Sequence, residues 1–195
     1  MQKQQTPLTG EQKEAVRLHP LQSVELLTEA GVKDQEWIKA VLHHHEKLDG
    51  SGYLGALRGD DIPLSVRIIS LADRYSAMIS PRDYRQQMLA RDALRDICLQ
   101  RGAEVDAELA QLFIKELGVY PPGAFVHLQN GEIAIVIKRG AAGNCPTVQS
   151  IIGPRGAPLL APVRRDTSTE TYAIREMVTR DKVVNIDMHR LWGYK

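Results

Sequence analysis

The chain has 195 residues, 43% apolar and 25% charged, with a net charge of +1. That length allows one hydrophobic core plus a small appendage, and the near-neutral charge makes no electrostatic case for DNA, RNA or a membrane surface as partner. Cys98 and Cys145 form neither a disulfide framework nor a zinc pattern and fit a reducing cytoplasm; the polar start Met1-Gln2-Lys3-Gln4-Gln5 lacks the apolar stretch of a signal peptide, and no run approaches the ~20 residues of a membrane-crossing helix.

The first part reads as helical. Thr9-Gly10-Glu11-Gln12 has capping-box spacing, and Ala15, Val16 and Leu18 follow at helical intervals. Pro20 suits the first turn of a second helix, with Leu21, Val24 and Leu27 as its apolar stripe and Gly31 as its stop. His19 then sits at a helix boundary. Asp34 can cap the next helix, in which Trp37, Ile38, Val41 and Leu42 share a face. From Asp49 to Pro63 the glycines Gly50, Gly52, Gly55 and Gly59 make a loop. Helical spacing returns over 64–79, 91–100 and 106–117, with Asp106 as a cap and Gly118 as a stop.

The character changes at Tyr120-Pro121-Pro122-Gly123. The runs 125–128 and 133–137 flank Asn130-Gly131, a strong hairpin signal, and 148–152 and 183–186 can add strands. The expected fold is mostly α, a helical domain over 1–118, with a small β-rich extension over 119–195.

Four of the six histidines lie between residues 19 and 45. His43, His44 and His45 fall near a helix end, where successive side chains diverge by about 100°. From a straight helix, His44 and His45 would serve two neighbouring ions, or one ion and a substrate phosphate. Imidazoles suit zinc, iron, copper or nickel, and Asp73 is the natural carboxylate to join them. Three histidines ending a helix also complement its dipole without any metal. Glu46 and Asp49 fit general-acid work, but a helix end and loop stiffened by local hydrogen bonds explains them better. Trp37 and Trp192 read as packing residues, His127 and His189 as structural or exposed, and Arg164-Arg165 as a solvated surface pair.

The stretch His44-His45-Glu46-Lys47-Leu48-Asp49-Gly50-Ser51-Gly52-Tyr53 resembles the defining segment of HD-GYP proteins, a subgroup of the HD phosphohydrolases. Leu57, Gly59, Ile62 and Arg67-Ile68-Ile69-Ser70-Leu71-Ala72-Asp73 continue the resemblance in order, and His19-Pro20 with Ser23 and Leu26-Leu27 matches the preceding helix. Arg82-Asp83-Tyr84-Arg85 resembles the family's arginine-proline-tyrosine-arginine run. The resemblance spans roughly residues 6 to 128. It implies an HD-type α-helical bundle with a two- or three-metal centre, often iron or manganese, that hydrolyses cyclic di-GMP or a related cyclic dinucleotide in bacterial signalling. By position it implies His19, His44, His45 and Asp73 as metal ligands, Gly50, Gly52 and Tyr53 as the loop beside the substrate, and Arg82 and Arg85 near its phosphates.

Three departures stand beside it. No His-Asp dipeptide occurs in the 195 residues, although that pair gives the family its name and its aspartate bridges metals. Thr6-Pro7-Leu8-Thr9-Gly10-Glu11 resembles what normally follows the pair, so the expectation is an N-terminally incomplete or degenerate core. Leu54 replaces the proline of the signature, which should loosen the loop. Ser76 stands where the family usually has aspartate, weakening a polar contact near the ligands or the docking of Arg82. The rival expectation is a non-catalytic sensor of cyclic di-GMP or a docking module for a signalling protein.

Overall fold

The computed structural model describes residues 9–80, 87–140 and 144–179. The chain divides into two compact units, Met1–Gln86 with Leu94–Phe113, and Gln87–Ala93 with Ile114–Lys195. Among the described residues, no helix is long and apolar enough to cross a membrane.

The helices are α1 (Gly10–Glu29), α2 (Gln35–His43), α3 (Leu64–Ile79), α4 (Ala90–Gln100) and α5 (Ala107–Leu117). The expected caps are present. Thr9 and Gln12 form the capping box, Asp34 accepts the N–H groups of Glu36 and Trp37, and Asp106 accepts those of Glu108 and Leu109. At the end of α1, Gly31 adopts φ +81, and its N–H and that of Val32 bond back to the Thr28 and Leu27 carbonyls. Only a residue tolerant of the left-handed region closes a helix in this way.

Two expectations fail in α1. A single helix of 20 residues runs through Pro20 where a break between two helices was expected, so His19 lies within the helix and not at its boundary. The expected stripe is also poorly covered: Leu21 is exposed, and Pro20 alone in α1 is fully buried. Trp37, read as a packing residue, is 53% exposed.

The helical unit's core is built on α3, which buries Val66, Leu71, Tyr75 and Met78. Tyr75 meets Phe113 of α5 edge to face, with centroids 5.4 Å apart. Arg67 ties the loop to this frame. Its guanidinium donates to the carbonyls of Ile62 and Gly59 and to the carboxylates of Asp60 and Asp106. Glu104 receives both Arg74 and Lys47, and its carbonyl accepts the Leu48 N–H, which pins the backbone just beyond the histidines.

The second unit holds a five-stranded antiparallel sheet of β1 (Phe125–Leu128), β2 (Ile133–Lys138), β3 (Thr147–Ile152), β4 (Pro158–Asp166) and β5 (Ile174–Val178), in the order β4-β3-β2-β1-β5. Asn130-Gly131 closes the β1–β2 hairpin as expected, with Gly131 at φ +87. The β region is thus larger than the small extension read from the sequence. Strands β4 and β5 were not foreseen. Both are edges: β4 carries Pro158 and Pro162, and β5 carries Arg175 and Glu176, so neither shows the apolar alternation that marks a strand. The strand expected over 183–186 lies outside the described residues, as do His189 and Trp192.

Arg165 is a further correction. It is not a solvated surface residue. Its Nε and Nη2 reach Glu132 Oε2 and Oε1 at 2.9 and 2.7 Å, Ser150 Oγ donates to the same carboxylate, and the guanidinium lies 4.7 Å over the Tyr172 ring. Glu132 directly precedes β2, whose Ile135 and Val136 are fully buried beside Val148 of β3, so its charge must be matched inside the sheet.

Candidate metal centre

Three imidazoles converge. One ring nitrogen from each of His19, His44 and His45 lies within 4.8 Å of the others. His19 comes from the middle of α1, and His44 and His45 from the turn directly after α2. The divergence expected of adjacent helical residues does not apply, because α2 stops at His43. His44 is the C-cap, and the chain turns there, bringing its ring to 4.0 Å from that of His45, centroid to centroid.

Two of the rings are anchored through the backbone. His19 Nδ1 contacts the Val16 carbonyl at 2.5 Å, and His44 Nδ1 contacts the Val41 carbonyl at 2.7 Å. A carbonyl only accepts, so each Nδ1 carries the proton and each Nε2 presents a lone pair. Those two Nε2 atoms face one another at 3.2 Å. Two lone pairs at that distance need a cation or a proton between them. Nitrogens bound at about 2.1 Å to one ion stand about 3.0–3.4 Å apart at ordinary coordination angles. The donor set therefore fits a divalent metal.

Burial, the largest cause, lowers the His45 pKa to about 4, with the neighbouring His44 and His19 adding to it and Asp73 opposing. His45 is thus neutral at neutral pH, the form that ligates. Asp73 itself is exposed and stands outside the three-histidine group, although its charge is felt at His45 and at Tyr53.

The glycine loop is fastened beside this group by Glu46. Its buried carboxylate accepts the N–H groups of Gly55 at 2.6 Å and Leu57 at 3.1 Å. Asp49 accepts the Ser51 N–H. Both acids are thus engaged in loop structure, as the local-hydrogen-bond reading holds. His43 turns to Glu46, its Nδ1 3.7 Å from Oε1, and is no part of the imidazole group. Gly52 is required by contact: a Cβ there would stand 2.5 Å from the Glu46 Cα and 2.7 Å from the Lys47 nitrogen. Gly50 adopts φ +79 and packs against the Arg58 side chain.

That close approach lays Tyr53 on His45, rings stacked 4.7 Å apart. Burial, with the Asp73 charge, pushes the Tyr53 pKa up to about 12, so the phenol keeps its proton. The Arg17 guanidinium lies 5.7 Å over the same ring. Sequence reasoning missed Arg17; its one signal is its place two residues before His19 on a helix. Arg82 and Arg85 lie outside the described residues. Leu54 corrects another expectation. Its φ is +84, a value closed to proline, whose ring holds φ near −65°. Leu54 therefore sets a backbone path that proline cannot follow and does more than loosen the loop.

A family model described as HD domain matches residues 1–109. The chain belongs to the HD domain family, in its HD-GYP group. The match ends short of the residue 128 expected from the motifs. A cyclic di-GMP phosphodiesterase of Pseudomonas aeruginosa is 32% identical over 124 residues, covering 64% of this chain and 30% of that protein. A 3'3'-cGAMP-specific phosphodiesterase of Vibrio cholerae is 38% identical over 72 residues, 37% of this chain and 14% of that one. The chain thus spans less than a third of the length of either curated relative. The HDG"Y"P protein from Bdellovibrio bacteriovorus covers 60% of this chain and 36% of its own at 16% identity, with a TM-score of 0.47, too slight a likeness to carry argument.

Proposed function

We propose that this chain is a cyclic-dinucleotide phosphodiesterase module acting by metal-assisted hydrolysis in the bacterial cytoplasm, with cyclic di-GMP as the first candidate substrate. The observation that carries this reading is the convergence of His19, His44 and His45, with two Nε2 lone pairs aimed at one point. On this reading those histidines and Asp73 are metal ligands. Gly50, Gly52 and Tyr53 shape the wall beside the substrate, and Arg82 and Arg85 pair with its phosphates. The module proper is residues 1–118, and 119–195 is an extension.

Iron or manganese bound there would polarise the phosphodiester and lower the pKa of an attacking water. The chain's own residues prepare that chemistry. His45 stays neutral because it is buried, so a metal need not displace a proton from it. Tyr53 covers one face of His45 and excludes water from it, while its un-ionised hydroxyl remains a donor. Glu46 holds the loop that carries Tyr53. A two-ion centre requires more donors than this set, and the His-Asp pair is absent from the 195 residues. The alternative reading is a non-catalytic sensor of the same dinucleotide or a docking module for a signalling protein.

Metal analysis and cyclic di-GMP turnover test the two together. About two ions per chain with hydrolysis support the enzyme. Fewer than one ion per chain sinks autonomous two-metal catalysis. Cyclic di-GMP binding without turnover moves the choice to the sensor. His44→Ala should abolish metal uptake, and unchanged uptake would refute the site.

A further inference from the structure

We infer that Pro20 is a positioning residue for the metal centre: by lacking an N–H it releases the Val16 carbonyl, which then fixes the tautomer and orientation of the ligand His19. The inference rests on the metal-centre reading given above.

In an uninterrupted α-helix the carbonyl of residue 16 accepts the N–H of residue 20. Residue 20 is proline, buried within α1, and has no N–H to give. The Val16 carbonyl is left without its helical partner, and His19 Nδ1 takes it at 2.5 Å. The donor is one residue before the proline and three after the carbonyl, so a helical side chain folding back toward the N-terminus meets the vacated oxygen. With its proton committed at Nδ1, His19 presents Nε2 as a lone pair toward His44 Nε2, 3.2 Å away.

His44 reaches the same state by a different route. Its Nδ1 takes the carbonyl of Val41, in the last turn of α2, where helix carbonyls lack an intrahelical donor. Both anchored ligands therefore draw on carbonyls that a helix cannot use. One is freed by helix termination. The other lies mid-helix and is freed by a proline. This also explains why an interior proline, which weakens a helix, occupies this position beside a histidine.

Pro20→Ala supplies the missing N–H and returns Val16 to the helix ladder. Two measurements separate a positioning role from a merely structural one. The first is a long-range nitrogen–proton NMR spectrum of the metal-free chain with labelled histidine. It should show the unaltered chain with the His19 proton on Nδ1, and Pro20→Ala with a population moved to Nε2. The Tyr75 and Phe113 ring signals, from the core of the same unit, should stay in place and report that the fold is intact. The second is calorimetric titration with Zn²⁺, in which Pro20→Ala should bind about 10- to 100-fold more weakly.

The inference is overturned if His19 of the unaltered chain carries its proton on Nε2. It is equally overturned if Pro20→Ala keeps both the tautomer and the Zn²⁺ affinity. Should Pro20→Ala fail to fold, the tautomer of the unaltered chain decides alone. No Zn²⁺ uptake by the unaltered chain would overturn the metal-centre reading and, with it, a ligand-positioning role for Pro20, whereas Zn²⁺ uptake with His19 on the Nε2 tautomer would overturn the role of Pro20 alone.

Discussion

The two units place buried carboxylates to different ends. In the sheet, Glu132 is closed on every side by side chains: Arg165 in a two-point pair, and Ser150. In the helical unit, Glu46 is closed by backbone, the N–H groups of Gly55 and Leu57. The first arrangement joins strands already buried by their apolar faces. The second shapes a loop that has few apolar side chains to hold it. A carboxylate matched by an arginine stabilises a sheet, whereas one matched by loop amides sets a path of chain, and in this molecule the path leads Tyr53 onto His45.

The strongest way to break this comparison is at Glu132. Glu132→Ala leaves the Arg165 guanidinium and the Ser150 hydroxyl without their acceptor within the sheet, and should destabilise it by about 3 kcal/mol. Hydrogen exchange should quicken across β2, β3 and β4, while metal uptake at the histidines persists. Loss of uptake would show that the two units do not act independently. Acid probes the same pair. The hydrogen bonds from Arg165, the largest effect, hold the Glu132 carboxyl below its ordinary value. A lowered folded-state pKa stabilises above the unfolded value, about 4.3, and that stability is lost as pH falls through the folded one. Protection of the β3–β4 pairing should therefore hold from pH 7 to about 5 and decline below it. In Glu132→Ala that acid-dependent component should vanish.

Next in size is Gly52→Ala, the corresponding test of the loop. The added Cβ meets the backbone of Glu46 and Lys47, which cannot swing aside as a side chain can. Overpacking of this kind costs about 1–3 kcal/mol, and here it falls on the loop. The expected outcome is weaker metal binding and loss of the Tyr53–His45 ring-current shift in the proton spectrum, with exchange in the sheet unchanged. Normal metal affinity in Gly52→Ala would show that the loop does not organise the ligands.

Much of the frame was legible in the sequence because its signals are local. Caps at Thr9, Asp34 and Asp106 lie within three residues of what they bond, and the Asn130-Gly131 turn sets its own hairpin. The site was legible in membership more than in geometry. His19, His44 and His45 were named, but their convergence depends on α2 ending at His43, just before the pair whose divergence was argued from helical spacing. Pro20 was misread because proline is a helix breaker by propensity. Its buried place within α1, with a histidine on the freed carbonyl, is a tertiary fact. Arg165 looked like surface because its partner lies 33 residues away. Strands β4 and β5 were missed because edge strands carry proline and charge where interior ones carry alternation.

The smallest expected effect tests whether the loop's path is held under strain. Leu54 and Ala56 both sit in the left-handed region, at φ +84 and +49, which L-residues enter at a cost of about 1–2 kcal/mol. Leu54 is half-buried, so replacing it would also remove side-chain contacts. Ala56 is exposed and loses only a methyl group, which makes Ala56→Gly the cleaner probe. Glycine enters that region freely but carries more entropy in the unfolded chain, so the two effects partly cancel. A net gain of roughly 0.5 kcal/mol is expected, read as a rise in the helical unit's midpoint in urea with the sheet's unchanged. The Glu46 carboxylate holds Gly55 and Leu57 on either side of Ala56, so the relaxed residue has little room to drift, and metal affinity should stay level. A loss of stability in Ala56→Gly would mean that this backbone is unstrained and that the Glu46 clamp is not working against the chain's own preference.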